Sequence, residues 1–113
     1  MSGNMKSLLA MYLSDVLKIY GSHLKSMILY GSYARGDFTP DSDVDIMLLV
    51  DLPDEKMEVY SDALSELGYE YNVNYDIWVM PVVKNIRHFQ YWASAYPFYR
   101  NVQTEGVVVY ERT

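Results

Sequence analysis

The chain contains no cysteine, so neither a disulfide framework nor a thiolate metal site can form. Basic residues are also few: nine Lys and Arg stand against fifteen Asp and Glu, which gives a formal net charge of −6. Because binding to a nucleic-acid backbone depends on Lys and Arg, we expect no direct binding of nucleic acid. No run approaches the ~20 apolar residues of a membrane-spanning helix. We therefore expect a cytoplasmic protein, without membrane contact, whose ligand is small.

The composition favours a single domain over residues 1–113. Half of the residues are hydrophobic and 21% are charged, which argues against disorder. A chain of 113 residues can bury roughly two-thirds of its unfolded surface and fold without covalent or metal cross-links.

Apolar periodicity predicts the secondary structure. A helix with apolar residues at helical spacing ends at Gly21, and a second helical face ends at Gly68. A third helix covers Val82 to Ala95 and is broken by Pro97, and a short helix starts at Ser32. The predicted strands are Met27–Tyr30, Val44–Val50, Val73–Met80 and Val107–Tyr110. The first two strands lie too close for a full crossover helix, so the pattern predicts an α+β fold with a mixed sheet of about four strands flanked by helices.

Two short motifs carry the candidate chemistry. Gly31-Ser32 follows the first strand, where glycine lets the backbone approach a phosphate and serine offers an N–H and a hydroxyl. Asp43 and Asp45 open the second strand, and side chains two apart in a strand face the same way. Two adjacent carboxylates repel each other unless a cation or a proton compensates them, and Mg²⁺ is the natural candidate because it prefers such oxygen ligands together with substrate phosphates and water.

Each motif also has a purely structural interpretation. Gly31 can serve as a turn residue and Ser32 as a helix N-cap. Asp43 can cap a turn, and Asp45 can be solvated. The combination at a fixed separation is much rarer than either motif alone, and it indicates a site for a metal-bound nucleoside triphosphate.

The chain resembles a known family through these residues. Gly31-Ser32, ten intervening residues and then Asp43-Val44-Asp45 is similar to the motif of the polymerase-β-like nucleotidyltransferase superfamily. The longer string GSYARGDFTPDSDVDIMLLV resembles the minimal nucleotidyltransferase (MNT) family, and the final NVQTEGVVVYE resembles the way these domains end. The resemblance implies the nucleotidyltransferase fold.

The resemblance further implies a catalytic set. Asp43, Asp45 and a third carboxylate on a neighbouring strand would hold two Mg²⁺ ions, or Mn²⁺, and act on ATP. Asp76, in the predicted third strand, is the candidate for that third position, although it could instead be a charge that protects a sheet edge. Gly31 and Ser32 would bind the β and γ phosphates. Arg35 would assist, or would only pair with Asp37 or Asp41.

The resemblance also implies a biological setting. MNT proteins often act as the antitoxin of a HEPN-domain ribonuclease toxin, in some pairs by transferring AMP to a tyrosine of the toxin. The acidic charge fits docking on a basic partner in a hetero-oligomer. Two alternatives are a non-catalytic antitoxin that acts by complex formation and a small-molecule nucleotidyltransferase.

One aromatic group stays outside this assignment. It lies at the end of the third predicted helix and in the segment after Pro97, and it comprises Tyr91, Trp92, Tyr96, Phe98 and Tyr99. We expect most of these side chains in the core of so small a domain. The alternative is a partner surface, where Tyr and Trp are favoured.

Overall fold

The computed structural model describes residues 3–112. Its helices are α1 (Gly3–Tyr20), α2 (Ser32–Arg35), α3 (Asp54–Met57), α4 (Ser61–Tyr75), α5 (Ile86–Trp92) and α6 (Pro97–Glu105). Its strands are β1 (Leu24–Tyr30), β2 (Val44–Val50), β3 (Val79–Asn85) and β4 (Val107–Glu111). Short 3₁₀ turns at Gly21–His23 and Glu58–Tyr60 follow α1 and α3.

The strands form one mixed sheet in the order β3-β2-β1-β4. The β1 strand is antiparallel to both β2 and β4, whereas β2 and β3 are parallel and joined by the α3–α4 crossover. The predicted α+β architecture with a four-stranded mixed sheet is confirmed. In this register Asp45 of β2 lies opposite Tyr30 of β1 and beside Met80 of β3.

Hydrophobic layers cover both faces of the sheet. On one face, α1 and α4 pack through buried Leu9, Tyr12, Val16, Leu67 and Tyr71. The α1 residues recur every three or four positions, as the sequence predicted. On the other face, a smaller layer joins strand residues to α5 and α6; it comprises Ile28, Met47, Leu49, Phe89, Ala93, Tyr99 and Val102. Asp45 lies on this second face, two residues before Met47.

The prediction of a strand over Val73–Met80 was wrong, as was a helix ending at Gly68. Helix α4 continues through Gly68 to Tyr75, because Tyr71 packs its ring edge-to-face on Tyr12 at 5.3 Å and donates a hydrogen bond to Asp15 at 2.8 Å. The helix ends at Asp76, which adopts left-handed backbone angles with φ of 53°. Strand β3 therefore begins at Val79, three residues beyond Asp76.

The predicted helix over Val82–Ala95 was also placed too early. Val82 lies within β3, and α5 begins only after Asn85, whose side chain accepts a hydrogen bond from the backbone N–H of His88. Pro97 ends no helix; it is the first residue of α6, where its missing N–H costs nothing.

The expectation that most of the aromatic group lies in the core was wrong. Tyr99 is buried, but Tyr91, Trp92, Tyr96 and Phe98 are exposed. The rings of Trp92 and Tyr96 stack on each other at 5.2 Å. Within residues 3–112, no helix combines the length and the hydropathy that crossing a bilayer requires.

Candidate active site

A glycine turn joins β1 to α2. Gly31 has φ of 75° and ψ of −154°, a combination that is essentially restricted to glycine. Its carbonyl accepts hydrogen bonds from the N–H groups of Ala34 and Arg35, each at 3.1 Å. The turn brings Ser32 to the end of β1, beside the carboxylate that opens β2.

The side chain of Asp45 lies directly over Gly31. A Cβ atom on residue 31 would overlap Asp45 Oδ2 and crowd its Cγ. Glycine is therefore required here for two independent reasons, its backbone angles and the carboxylate above it. The two sequence motifs, fourteen positions apart from Gly31 to Asp45, meet at van der Waals distance in the fold.

Two charges of the same sign meet at this point. The pKa of Asp45 is raised, first by burial and then by the negative charge of Asp43, while the positive charge of Arg35 opposes the rise. Burial and Asp45 together also raise the pKa of the Tyr30 hydroxyl on the adjoining strand. Asp43 itself is exposed. The half-buried carboxylate thus lacks sufficient positive charge around it, which is the electrostatic condition for binding a cation.

A cavity of about 410 Å³ opens beside these groups. Four of the predicted site residues line it, namely Gly31, Ser32, Arg35 and Asp45. The opposite wall comes from α6, through Phe98, Asn101, Val102 and Glu105, and Tyr30 completes the lining. Sequence reasoning did not identify the α6 residues, because they lie more than fifty positions after Asp45 and carry no recognisable motif.

Arg35 is held by two carboxylates at the edge of this cavity. Its Nε lies 3.2 Å from Asp37 Oδ2, and its Nη1 lies 3.5 Å from Glu105 Oε2. Hydrogen bonding to Asp37 is the first cause of the raised pKa of the guanidinium. The pairing with Asp37, one of the two structural alternatives for Arg35, is present, and the pairing with Glu105 ties α2 to α6.

Asp76 does not occupy a strand position in the sheet. It is the exposed C-terminal cap of α4, and its N–H donates to the carbonyl of Asn72 at 3.0 Å. Across residues 3–112 there is no group of three or more His, Cys, Asp or Glu side chains arranged to hold a metal. The residue that β3 places beside Asp45 is Met80. The predicted three-carboxylate arrangement is therefore not formed in this structure.

The donor set fits one hard cation better than two. Mg²⁺ commonly takes one or two protein carboxylates and completes its octahedral shell with substrate phosphates and water. Asp45 lines the cavity together with Ser32 and Arg35, whereas Asp43 lies outside the lining but near enough for its charge to raise the pKa of Asp45. A second ion would need a further carboxylate, and β3 offers the thioether of Met80 instead.

The chain is similar to several known proteins. Residues 10–102 match the nucleotidyltransferase domain family. Three proteins of Methanocaldococcus jannaschii, each provisionally named a protein adenylyltransferase, are also similar. One is 34% identical over 80% of this chain and 83% of its own length. A second is 36% identical over 61% and 68%, respectively, and a third is 29% identical over 96% and 73%.

Two solved structures share the fold. One is a toxin–antitoxin crystal structure with AMP-PNP, with a TM-score of 0.52 and 20% identity; the match covers 88% of this chain and 73% of that chain. The other is a mutant of the toxin–antitoxin pair MntA–HpeT, with a TM-score of 0.53 and 19% identity, matched over 90% and 73%. At this level of identity the likeness is one of fold.

Proposed function

This chain belongs to the nucleotidyltransferase domain family, and from that premise we propose that it transfers AMP from ATP to a hydroxyl group of a partner protein. The observation that carries the proposal is the contact of Asp45 with Gly31. It places a carboxylate whose charge is only partly offset by Arg35 at the mouth of a cavity lined by Ser32 and Arg35.

Different cavity residues would contact different parts of the nucleotide. Ser32 offers its hydroxyl to the terminal phosphates, because it follows the Gly31 turn next to Asp45. Arg35 adds positive charge once it exchanges a carboxylate partner for a phosphate oxygen. Phe98 and Tyr30, whose ring centroids lie 5.5 Å apart, form an apolar wall against which a base or ribose can pack.

Asp43 and Asp45 would hold Mg²⁺, or Mn²⁺, whose charge supplies the neutralisation that the triphosphate needs. The chain itself then orients the α-phosphate toward the open side of the site, where Asp43 is exposed. There the acceptor oxygen bonds to the α-phosphorus as the bond to pyrophosphate breaks, and the hydroxyl proton passes to water. The acceptor would then belong to a second molecule docked at the mouth of the site.

We infer that the partner is a toxin and that this chain is its antitoxin. The fold is shared with two toxin–antitoxin structures, and three relatives carry a protein adenylyltransferase name. The family resemblance noted from the sequence specifies the partner further as a HEPN-type ribonuclease and the acceptor as a tyrosine. The net charge of −6 favours association with such a basic, RNA-binding surface.

A second candidate function is neutralisation by complex formation without transfer. The position of Met80 beside Asp45 favours it, because the catalytic arrangement implied by the family resemblance has a third carboxylate on a neighbouring strand. The placement of Asp76 outside the sheet also favours neutralisation without transfer.

One experiment separates the two candidates. The chain would be incubated with α-labelled ATP, Mg²⁺ or Mn²⁺, and the purified product of the neighbouring gene. Transfer predicts label on the partner and its loss with Asp43→Asn or Asp45→Asn. Complex formation alone predicts no label, and protection by Asp45→Asn equal to that by wild type when both genes are expressed in cells.

A further inference from the structure

The acidic charge of the chain is concentrated in one segment. Residues 54–76 contain seven of the fifteen acidic residues and only one of the nine basic ones, Lys56. The segment therefore has a formal charge of −6, equal to that of the whole chain, and the remainder is balanced. Helix α4 contributes Asp62, Glu66 and Glu70, all exposed, to this surface. The structure thus has one strongly negative side rather than a uniformly acidic surface.

An apolar groove runs along the same side. It has a volume of about 500 Å³ and lies between α4 and the edge strand β3. Large hydrophobic residues line it and remain exposed to solvent: Tyr69 is 66% exposed, Trp78 52% and Met80, on the edge strand, 47%. Glu58 also lines the groove, and Glu66 and Glu70 flank Tyr69 in the adjoining depression. An exposed apolar strip with an acidic rim is typical of a protein interaction site.

We propose that the α4–β3 groove is the docking surface for a basic segment of a partner protein, with an apolar side chain seated between Tyr69 and Trp78. The inference rests on the proposed function, since it specifies where that partner binds. The acidic rim indicates which class of molecule can bind in the groove. Nucleic acid and anionic lipid are repelled by it, and a second copy would bring two segments of charge −6 into contact. A basic polypeptide is the occupant whose charge complements the rim.

The groove and the candidate active site lie on opposite faces of the sheet, because the groove is on the face covered by α4 and Asp45 is on the face covered by α5 and α6. Met80 lines the groove and lies in register with Asp45 on the neighbouring strand. Adjacent strands are about 4.8 Å apart. Strand β3 forms the edge of the sheet between the two, so a partner seated in the groove would extend around β3 for one of its hydroxyls to reach the carboxylate pair.

Binding to the purified product of the neighbouring gene tests the surface, measured by isothermal titration. We expect Tyr69→Ala and Trp78→Ala each to weaken binding about tenfold or more, as aromatic anchors do. Glu66→Lys should weaken it severalfold, and the affinity of wild type should fall as salt rises. The matched controls are Tyr91→Ala in the exposed aromatic group, where Tyr91 is 76% exposed, and Glu111→Lys on β4 at the other edge of the sheet.

The outcomes are distinct. Loss of affinity in the groove variants with controls near wild type supports the proposal. Loss in Tyr91→Ala with Tyr69→Ala and Trp78→Ala unchanged overturns it in favour of the aromatic group, and equal loss in all variants, or no binding by wild type, also overturns it. Binding through the groove without transfer of label removes the enzymatic proposal and keeps the surface. Circular dichroism of each variant identifies any that fail to fold, and Trp78→Phe then replaces Trp78→Ala.

Discussion

Met80 of β3 lies beside Asp45 of β2 in a parallel, in-register pair, so the two side chains project from the same face of the sheet. A thioether is a poor ligand for Mg²⁺, which prefers oxygen donors. Because residue 80 is Met and not an acidic residue, the strand beside Asp45 adds no further carboxylate to the site. A single substitution at residue 80 could therefore add a third carboxylate to the site.

We expect Met80→Asp to strengthen binding of divalent cations. The new carboxylate would join Asp43 and Asp45, and affinity for hard cations rises with the number of charged ligands. Titration with Mn²⁺, followed by electron paramagnetic resonance, should show affinity higher by about tenfold. Met80→Asn is the matched control of similar size without the charge. An unchanged affinity in Met80→Asp would show that residue 80 does not face the carboxylate pair.

Gly31→Ala should damage both stability and the site. The added Cβ overlaps Asp45 Oδ2, and the backbone angles of residue 31 strain any other residue. We expect a loss of roughly 2–4 kcal/mol in the free energy of unfolding, measured with urea, together with loss of Mn²⁺ binding.

Gly36→Ala is the control for this change. Gly36 also has positive φ, 85°, but a Cβ there would meet nothing within 4 Å. It should cost about 1 kcal/mol and leave cation binding intact. If Gly31→Ala and Gly36→Ala lowered the stability and the cation binding equally, the contact between Gly31 and Asp45 would contribute to neither.

The titration of Asp45 should respond to its neighbours in opposite directions. Burial and Asp43 raise its pKa, and Arg35 lowers it. In the metal-free protein, the pKa from carboxyl NMR should therefore fall with Asp43→Asn and rise with Arg35→Gln. Because a cation binds the ionised carboxylate, uptake of Mn²⁺ by wild type should be lost on acidification at a higher pH than for an ordinary aspartate.

Asp45→Asn should stabilise the metal-free protein at neutral pH. A carboxyl whose pKa is raised on folding contributes stability below its unfolded pKa and loses that contribution as pH rises through the folded value. Removing the charge relieves this loss. Because water screens part of the charge of Asp45, we expect only a small rise in Tm at pH 7, about 2–4 °C or roughly 0.5 kcal/mol. The difference from wild type should vanish at pH 3. A Tm at pH 7 lower for Asp45→Asn than for wild type would show that the charge of Asp45 does not destabilise the fold.

Glu105→Gln should increase affinity for the nucleotide. Glu105 holds Arg35 through Nη1 at 3.5 Å and places a negative charge in the cavity wall. Neutralising Glu105 frees the guanidinium of Arg35 to bind a phosphate oxygen. Because an exposed ion pair of this kind is weak, we expect the affinity for ATP with Mg²⁺ to rise about two- to fivefold. A fluorescent ATP analogue gives the measurement. The gain should disappear when Arg35→Ala is added, and Glu111→Gln on β4 should show none.

The sequence by itself determined the features that depend on neighbours along the chain. The three- and four-residue spacing of Leu9, Tyr12 and Val16 specified the buried face of α1. The Gly31-Ser32 turn and the Asp43–Asp45 pair were readable because glycine angles and strand alternation are local properties. The mixed four-stranded sheet followed from the short connection between β1 and β2.

Only the tertiary structure decided what each strand places beside Asp45. The packing of Tyr71 on Tyr12 extends α4 to Tyr75, which shifts β3 along the chain and leaves Asp76 as a helix cap. The β2–β3 register then brings Met80 to the carboxylate pair, and α6 closes the cavity from a distant part of the sequence. Register and helix length are set by contacts between residues far apart in sequence, which periodicity along a single chain does not encode.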